Sequence, residues 1–409
     1  MSQSSDIARP SATPWGLVFL LGSLTAFAPM SIDMYLPAFP AIGAALHATA
    51  GQQQATLAVF LFGMAIGQFL YGPASDRFGR RTPILVGVTV YVAASIACAL
   101  ATSPEWIIGA RFAQALGGCA GAVVARAVVR DLFDHTETAR MLSLLTLIMG
   151  LAPILAPMSG AVVLQVLGWR AIFWVLAGFG LLVGLAVFFR LKESRSEATA
   201  LQARSESPLR AYRVLISNRR LIGYCLGGGL NGALLFTYIS SSSGLMIETY
   251  GFQPFFYTVI FAGNAFGIIG AGQVNRMLLR SRTPDQVLAG ASLAALGFGA
   301  LLLVAALTGL GGKWTVLPLL FACLASYGLM AGNTMAGALS VDPQRAGSTS
   351  ALMGGLSFAA GAFASWLSGV LHDGSARPMA AVMMICLLGS SAALWGLALP
   401  RKGTRQGTA

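Results

Sequence analysis

Twelve apolar runs, each long enough to cross a bilayer as a helix, constrain this chain more than any other feature. A hydrocarbon core of ~30 Å needs about 20 mostly apolar helical residues. Such runs fall at approximately 15–38, 53–72, 83–103, 105–125, 142–165, 170–190, 221–244, 254–275, 287–309, 314–335, 346–371 and 378–399. The ninth and tenth are separated only by Leu310, Gly311, Gly312 and Lys313, where the glycines and the lysine signal a turn. Only 10% of the 409 residues are charged, against about a quarter in soluble domains. The expectation is therefore an all-α membrane protein. The first run is longer than a signal-peptide core and contains Asp33, so it reads as a retained span and not a cleavable leader.

The longest polar interruption, Arg190 to Arg220, divides the spans six and six. This gives a short segment 1–14, a first half 15–190, a linker 191–220, a second half 221–399 and a tail 400–409. A short amphipathic stretch is expected near Pro208–Ile216. With the N-terminus inside, the segments on the external side hold only Arg170, Lys313 and Arg377 of the 26 basic residues, and Arg111 lies within a span. The rest fall on the cytoplasmic side, a strong positive-inside signal that also makes both termini cytoplasmic. The net charge of +12 sits in short links, which points to anionic phospholipids and away from nucleic acid. The five cysteines lie in apolar runs and read as small fillers. The histidines His47, His135 and His372 are scattered and offer no metal-ligand spacing.

Asp33 is the one acid well inside a span, and Arg111 the one base. An intramembrane charge costs several kcal/mol and is a functional candidate by default. Asp33 lies about 4–7 residues before the external end of span 1, and Arg111 about 6 residues after the external start of span 4. At ~1.5 Å per residue both sit roughly 6–10 Å below the same boundary. Burial and a neighbouring arginine act in opposite senses on a carboxyl, so a pair at one depth is suited to taking up and releasing a proton. The bland alternative is a static ion pair.

The link Gly72-Pro-Ala-Ser-Asp76-Arg77-Phe-Gly79-Arg80-Arg81 concentrates charge and glycine between spans 2 and 3. Topology accounts for Arg77 and Arg81 but leaves Asp76 unexplained. With the six-plus-six layout, this link resembles the signature of the major facilitator superfamily. Ser31-Ile-Asp33-Met-Tyr35-Leu-Pro37-Ala-Phe-Pro40, Tyr71-Gly-Pro-Ala-Ser-Asp76 and Ala346-Gly-Ser-Thr-Ser-Ala-Leu352 resemble its bicyclomycin/chloramphenicol-resistance (Bcr/CflA) drug exporters. The resemblance covers nearly the whole chain and implies two six-helix pseudo-repeats around a central cavity. It also implies a gate at Gly72, Asp76, Arg80 and Asp131. Asp76 would face the N-terminal end of span 11, and Arg80 would pair with Asp131. The second half carries a degraded copy, Asn275-Arg276 with Arg280 and Arg282. Arg111-Phe-Ala-Gln114-Ala-Leu-Gly117-Gly118 resembles the span 4 signature of proton-driven members, with Gln114 a candidate to bond across the cavity. Gly150, Pro153, Pro157 and Gly160 resemble the antiporter signature of span 5, with Pro153 departing from the common form. The prolines are expected to bend that span.

Substrate contacts are the least defined part of the sequence. Tyr35, Phe39, Tyr238, Met246, Phe255, Phe256 and Asn333 suit an adaptable pocket, but the same residue types line lipid interfaces. Ser240–Ser243 form a polar patch. The resulting expectation is a monomeric proton antiporter of the bacterial inner membrane exporting small bicyclomycin- or phenicol-like drugs. It would need no cofactor beyond the proton gradient. Export of a metabolite such as an amino acid is the alternative. An enzyme would need convergent nucleophile, base or metal groups, and a channel a filter-like segment; neither is present in the sequence.

Overall fold

The computed structural model describes residues 15–195 and 208–399. The expected segment 1–14, the tail and residues 196–207 of the linker lie outside those. Eleven helices are long and apolar enough to span a membrane, and a twelfth span is a bent pair, Trp15–Thr25 with Phe27–Leu46. We number the spans 1 to 12. After the bent pair come Ala50–Phe78, Arg81–Ala99, Pro104–Leu132, His135–Leu167 and Trp169–Arg190. Spans 7 to 12 are Arg219–Ser243, Pro254–Leu278, Pro284–Thr308, Lys313–Val341, Ala346–Val370 and Arg377–Ala393. Spans 7 and 12 are prolonged by π-helical turns. No strand occurs among the described residues.

Span 1 departs from a simple 15–38 helix, and its prolines give the reason. A proline ring clashes with the carbonyl four residues earlier and removes a donor. Pro29 acts on Thr25, where the first segment ends and the axis turns by 45°. Pro37 acts on Asp33, where the second segment, Phe27–Asp33, ends. The chain continues through a 3-10 turn, Leu36–Ala38, into Phe39–Leu46 and stops at His47 in a left-handed conformation. The acid inside the membrane thus sits at a proline-made helix end. Span 5 carries Pro153 and Pro157 yet runs as one unbroken helix.

The two halves meet chiefly where span 2 lies along span 11 and span 5 packs on span 8. The amphipathic linker stretch is a helix, Pro208–Ser217. It docks under this seam, with Leu215 buried and Tyr212 edge-on to Phe69 at 5.5 Å. At the end remote from the Gly79 loop, the halves close tightly. Ser243 Oγ donates to the Leu36 carbonyl across the seam at 2.7 Å, and Gly51 and Gly369 approach so closely that a Cβ on Gly51 would lie 3.4 Å from the Gly369 carbonyl oxygen.

Candidate functional site: a charged layer and a loop network

Arg111 is fully buried, with 0% exposure. Its guanidinium is sandwiched between Phe60 of span 2, 4.2 Å from the ring centre, and Tyr35 of span 1, at 4.6 Å. Nη1 donates to the Ser31 carbonyl at 3.0 Å and to Gln114 Oε1 at 2.6 Å. Gln114 passes the network on through Nε2 to Ser95 Oγ at 2.8 Å. It therefore ties span 4 to span 3 within its own half, and does not bond across the cavity. Nearby, Ser31 and Tyr91 share a hydroxyl bond of 2.8 Å. Nε and Nη2 of Arg111 have no partner.

Asp33 is 3% exposed and close to the level of Arg111, whose Nη1 bonds the backbone two residues earlier. The two do not form an ion pair here; among the described residues the ion pairs lie elsewhere. The Asp33 carboxyl instead lies in the electrostatic field of Tyr238 and Tyr257, from spans 7 and 8 of the other half. Those phenols are anchored: Asn264 Nδ2 donates to Tyr238 Oη at 2.7 Å, and Tyr257 Oη bonds Ser242 Oγ at 3.1 Å. Tyr257 and Asn264 had no signal in the sequence beyond being polar groups in an apolar run.

Glycines fix this layer. A Cβ on Gly160 of span 5 would strike the Met34 carbonyl at 2.1 Å, so glycine there lets span 5 touch the backbone beside Asp33. Gly117 lies against the Tyr91 and Gly87 backbone in the same way. Gly150 has only Ile269 near, at 3.9 Å. Pro157 is buried and Pro153 half-buried.

The sequence-derived pocket residues scatter. Tyr35, a wall of the Arg111 cage, bonds Thr56 Oγ1 at 2.6 Å and meets the buried Phe39 edge-on at 4.7 Å. Asn333 donates to Asn275 Oδ1 at 2.8 Å, joining spans 10 and 8. Met246 is buried, whereas Phe255 and Phe256 are exposed on the bundle's surface. Ser241 and Ser368 pair at 2.8 Å beside Gln54, whose buried Oε1 lacks a partner.

The second charged region is the loop between spans 2 and 3. Arg80 is 3% exposed and fully engaged. Nε and Nη2 fork onto Asp131 at 2.7 and 3.3 Å, and Nη1 bonds both Asp76 and Ser75. Asp76 is 44% exposed and makes its ion pair within the loop. Arg130 lies over the first turn of span 11, its Nη1 3.2 Å from where a Gly347 side chain would start. Gly72 has nothing within 4 Å. Gly79 matters more: its φ is +90°, and a Cβ would meet Glu193 at 2.5 Å.

Glu193 opens the linker, and sequence reading did not single it out. Its carboxylate accepts from the backbone N–H of Arg80, Arg81, Ser194 and Arg195 at 2.8–3.2 Å. Partial burial acts to raise this carboxyl, but the four amides prevail and hold it below the usual carboxylate range. Arg195 Nη1 completes the clasp by donating to the Asp76 and Arg77 carbonyls at 3.0 and 2.6 Å, capping the end of span 2. Arg81, which topology also accounts for, bonds the Phe188 carbonyl at 2.5 Å and lies over that ring.

Twelve membrane helices in two bundles, with a buried base inside the first and a buried acid facing the second, fit a polytopic membrane transporter. The Major Facilitator Superfamily model matches residues 21–365, and the chain belongs to that superfamily, in its Bcr/CflA branch. It is 33% identical, over 95% of this chain and 96% of the relative, to a Bacillus subtilis protein described as an uncharacterized MFS-type transporter, YdgK. It is 30% identical, over 91% and 93%, to a bicyclomycin resistance protein homolog of Haemophilus influenzae. It is 29% identical, over 94% and 96%, to the multidrug resistance protein MdtL of Klebsiella pneumoniae. Among solved structures, a D-xylose-proton symporter superposes with a TM-score of 0.72 at 13% identity, over 95% of this chain and 99% of the other. That likeness is one of fold.

Proposed function

We propose that this protein is a proton-driven exporter of small drugs, with bicyclomycin- or phenicol-like compounds as cargo, working in the bacterial inner membrane with both termini cytoplasmic. The names of the relatives support drug efflux, and the distribution of basic residues supports the orientation. The observation that carries proton coupling is the buried, unpaired Asp33 at the level of an Arg111 with two unsatisfied nitrogens. A buried carboxyl without a cationic partner is stable when neutral, and one that gains a partner is stable when charged. Alternating access supplies such a switch, because rocking one half against the other moves the Tyr238 and Tyr257 wall away from Asp33.

The closure of the remote end by Ser243 and Gly51–Gly369 supports reading this conformation as an inward-facing or occluded part of the cycle. Asp33 loses its proton to the cytoplasm as cargo binds. It regains one when the cavity opens outward, and cargo leaves. The test is transport in proteoliposomes with an imposed pH gradient and a phenicol as cargo. We expect cargo-dependent proton flux in the wild type and none in Asp33→Asn, which should still exchange cargo down its own gradient. Proton flux that survives Asp33→Asn refutes the coupling assignment.

A further inference from the structure

The transport path carries an unbalanced positive charge at the loop end of span 4, which the coupling layer does not use. Positions 124, 125, 127, 128 and 129 are all buried, while Arg126 in their midst is exposed. Its side chain therefore reaches into open space. Its Nε bonds only the Ala122 carbonyl of its own helix, at 3.1 Å. Arg130, one turn on, is also exposed. It lies over the first turn of span 11, from the opposite half, so the space these two arginines share lies between the halves. Neither forms an ion pair among the described residues. The nearest acids of the loop network, Asp76 and Asp131, are both taken by Arg80.

The facing wall adds to the imbalance. Span 11 begins at Ala346 with no acid in its first turn; the 3-10 turn Pro343–Arg345 leads into it, with Asp342 spent on the Arg345 N–H and guanidinium, and the positive end of the helix dipole points to this side. In that same turn the Thr349 hydroxyl is fully buried and has no partner. Two guanidinium groups without ion pairs, beside the positive end of a helix, repel one another unless an anion lies between them. Positive-inside topology accounts for cationic residues at this end of the membrane, but not for two of them turned inward against the opposite half.

We infer that Arg126 and Arg130 form the cargo-admitting site of the vestibule, and that it takes neutral or anion-bearing cargo and disfavours lipophilic cations. The inference rests on the exporter reading above and names the substrate class of that path. A carboxylate on the cargo gains charge-assisted bonds from Arg126 and Arg130. A cation meets the repulsion of both arginines.

Equilibrium binding separates this inference from the export reading, because it requires no transport. Purified full-length protein in nanodiscs of zwitterionic lipid is titrated with a phenicol, its anionic hemisuccinate and tetraphenylphosphonium. We expect the hemisuccinate to bind about tenfold or more tightly than the cation, the scale of one charge-assisted hydrogen bond. Arg126→Gln and Arg130→Gln should each remove most of that preference while leaving affinity for the neutral phenicol within about twofold. Arg126→Lys should restore part of it. Equal or tighter binding of the cation overturns the inference, and so does an unchanged preference in both glutamine variants. Loss of the Arg126 dependence when anionic lipid is added to the nanodisc would assign the site to a headgroup and overturn the cargo assignment. Proteoliposome flux of the neutral phenicol, measured in parallel, reports on the exporter reading alone.

Discussion

Arg80, at the junction of spans 2 and 3, and Arg111, inside span 4, are both buried arginines, and their surroundings are opposite. Arg80 meets two carboxylates and a serine hydroxyl. Arg111 meets two aromatic faces, a backbone carbonyl and an amide, with two nitrogens left over. Breaking a satisfied buried network removes stability already present. An unsatisfied buried cation costs stability and has bonding capacity to offer when its surroundings move. The comparison assigns Arg80 to holding one geometry and Arg111 to passing between two.

The sharpest way to break that assignment is to remove each arginine in turn. Arg111→Ala should lower coupled transport by about 100-fold, the scale on which removal of a preorganised charge acts. The protein should remain folded, since a costly unpaired cation has gone. Arg111→Lys should not rescue it, because an ammonium has no planar face to stack between Tyr35 and Phe60 while it bonds Ser31 and Gln114. Transport rates normalised to monodisperse protein would measure this. Arg80→Ala should do the reverse. It leaves the mostly buried Asp131 without its cationic partner, at about 3 kcal/mol, and lowers the unfolding midpoint in detergent well before it alters cargo affinity. A more stable Arg80→Ala, or a less stable Arg111→Ala, would void the distinction.

Gly160→Val sharpens the comparison from the scaffold side. The added side chain meets the Met34 carbonyl, so span 5 must retreat from the helix end that carries Asp33. Overpacking of this kind costs about 1–3 kcal/mol. Because the displaced contact borders the acid and not the loop, coupled flux should fall further than the Arg80 network's thermal stability. Gly150→Val, with only Ile269 near, should be close to neutral. Equal losses at both glycines would remove the contact argument.

Much of this was legible in the sequence, for identifiable reasons. The spans follow from apolar length, and the linker helix from its amphipathic spacing. The common depth of Asp33 and Arg111 follows from rise per residue. Partner choice does not follow from depth: Arg111 takes the rings of Phe60 and Tyr35, which lie on two other helical segments. Gln114 turns to Ser95 because span 3 is nearer than the cavity. Glu193 and Arg195 sit more than a hundred residues from the loop they clasp, so no local pattern marks them. Gly79 was visible within the motif, but its left-handed backbone and its contact with Glu193 were not.

The smallest effect expected tests whether the linker belongs to the Arg80 network. Glu193→Gln keeps the shape and removes the charge that four backbone amides point toward. The carboxylate is mostly solvent-accessible, so the loss should be only about 1 kcal/mol. Its pH dependence is more diagnostic than its size. The native carboxyl is held below its usual value, so its contribution is present above the unfolded pKa of about 4.3. It is lost as pH falls through the lower native value. Amide hydrogen exchange at Arg80 and Arg81, corrected for the intrinsic rate, should show full protection at pH 7 and declining protection below about pH 4. In Glu193→Gln protection should start lower and lose that decline. A decline retained in the variant would assign the titration to Asp131 or Asp76 and leave the linker outside the network.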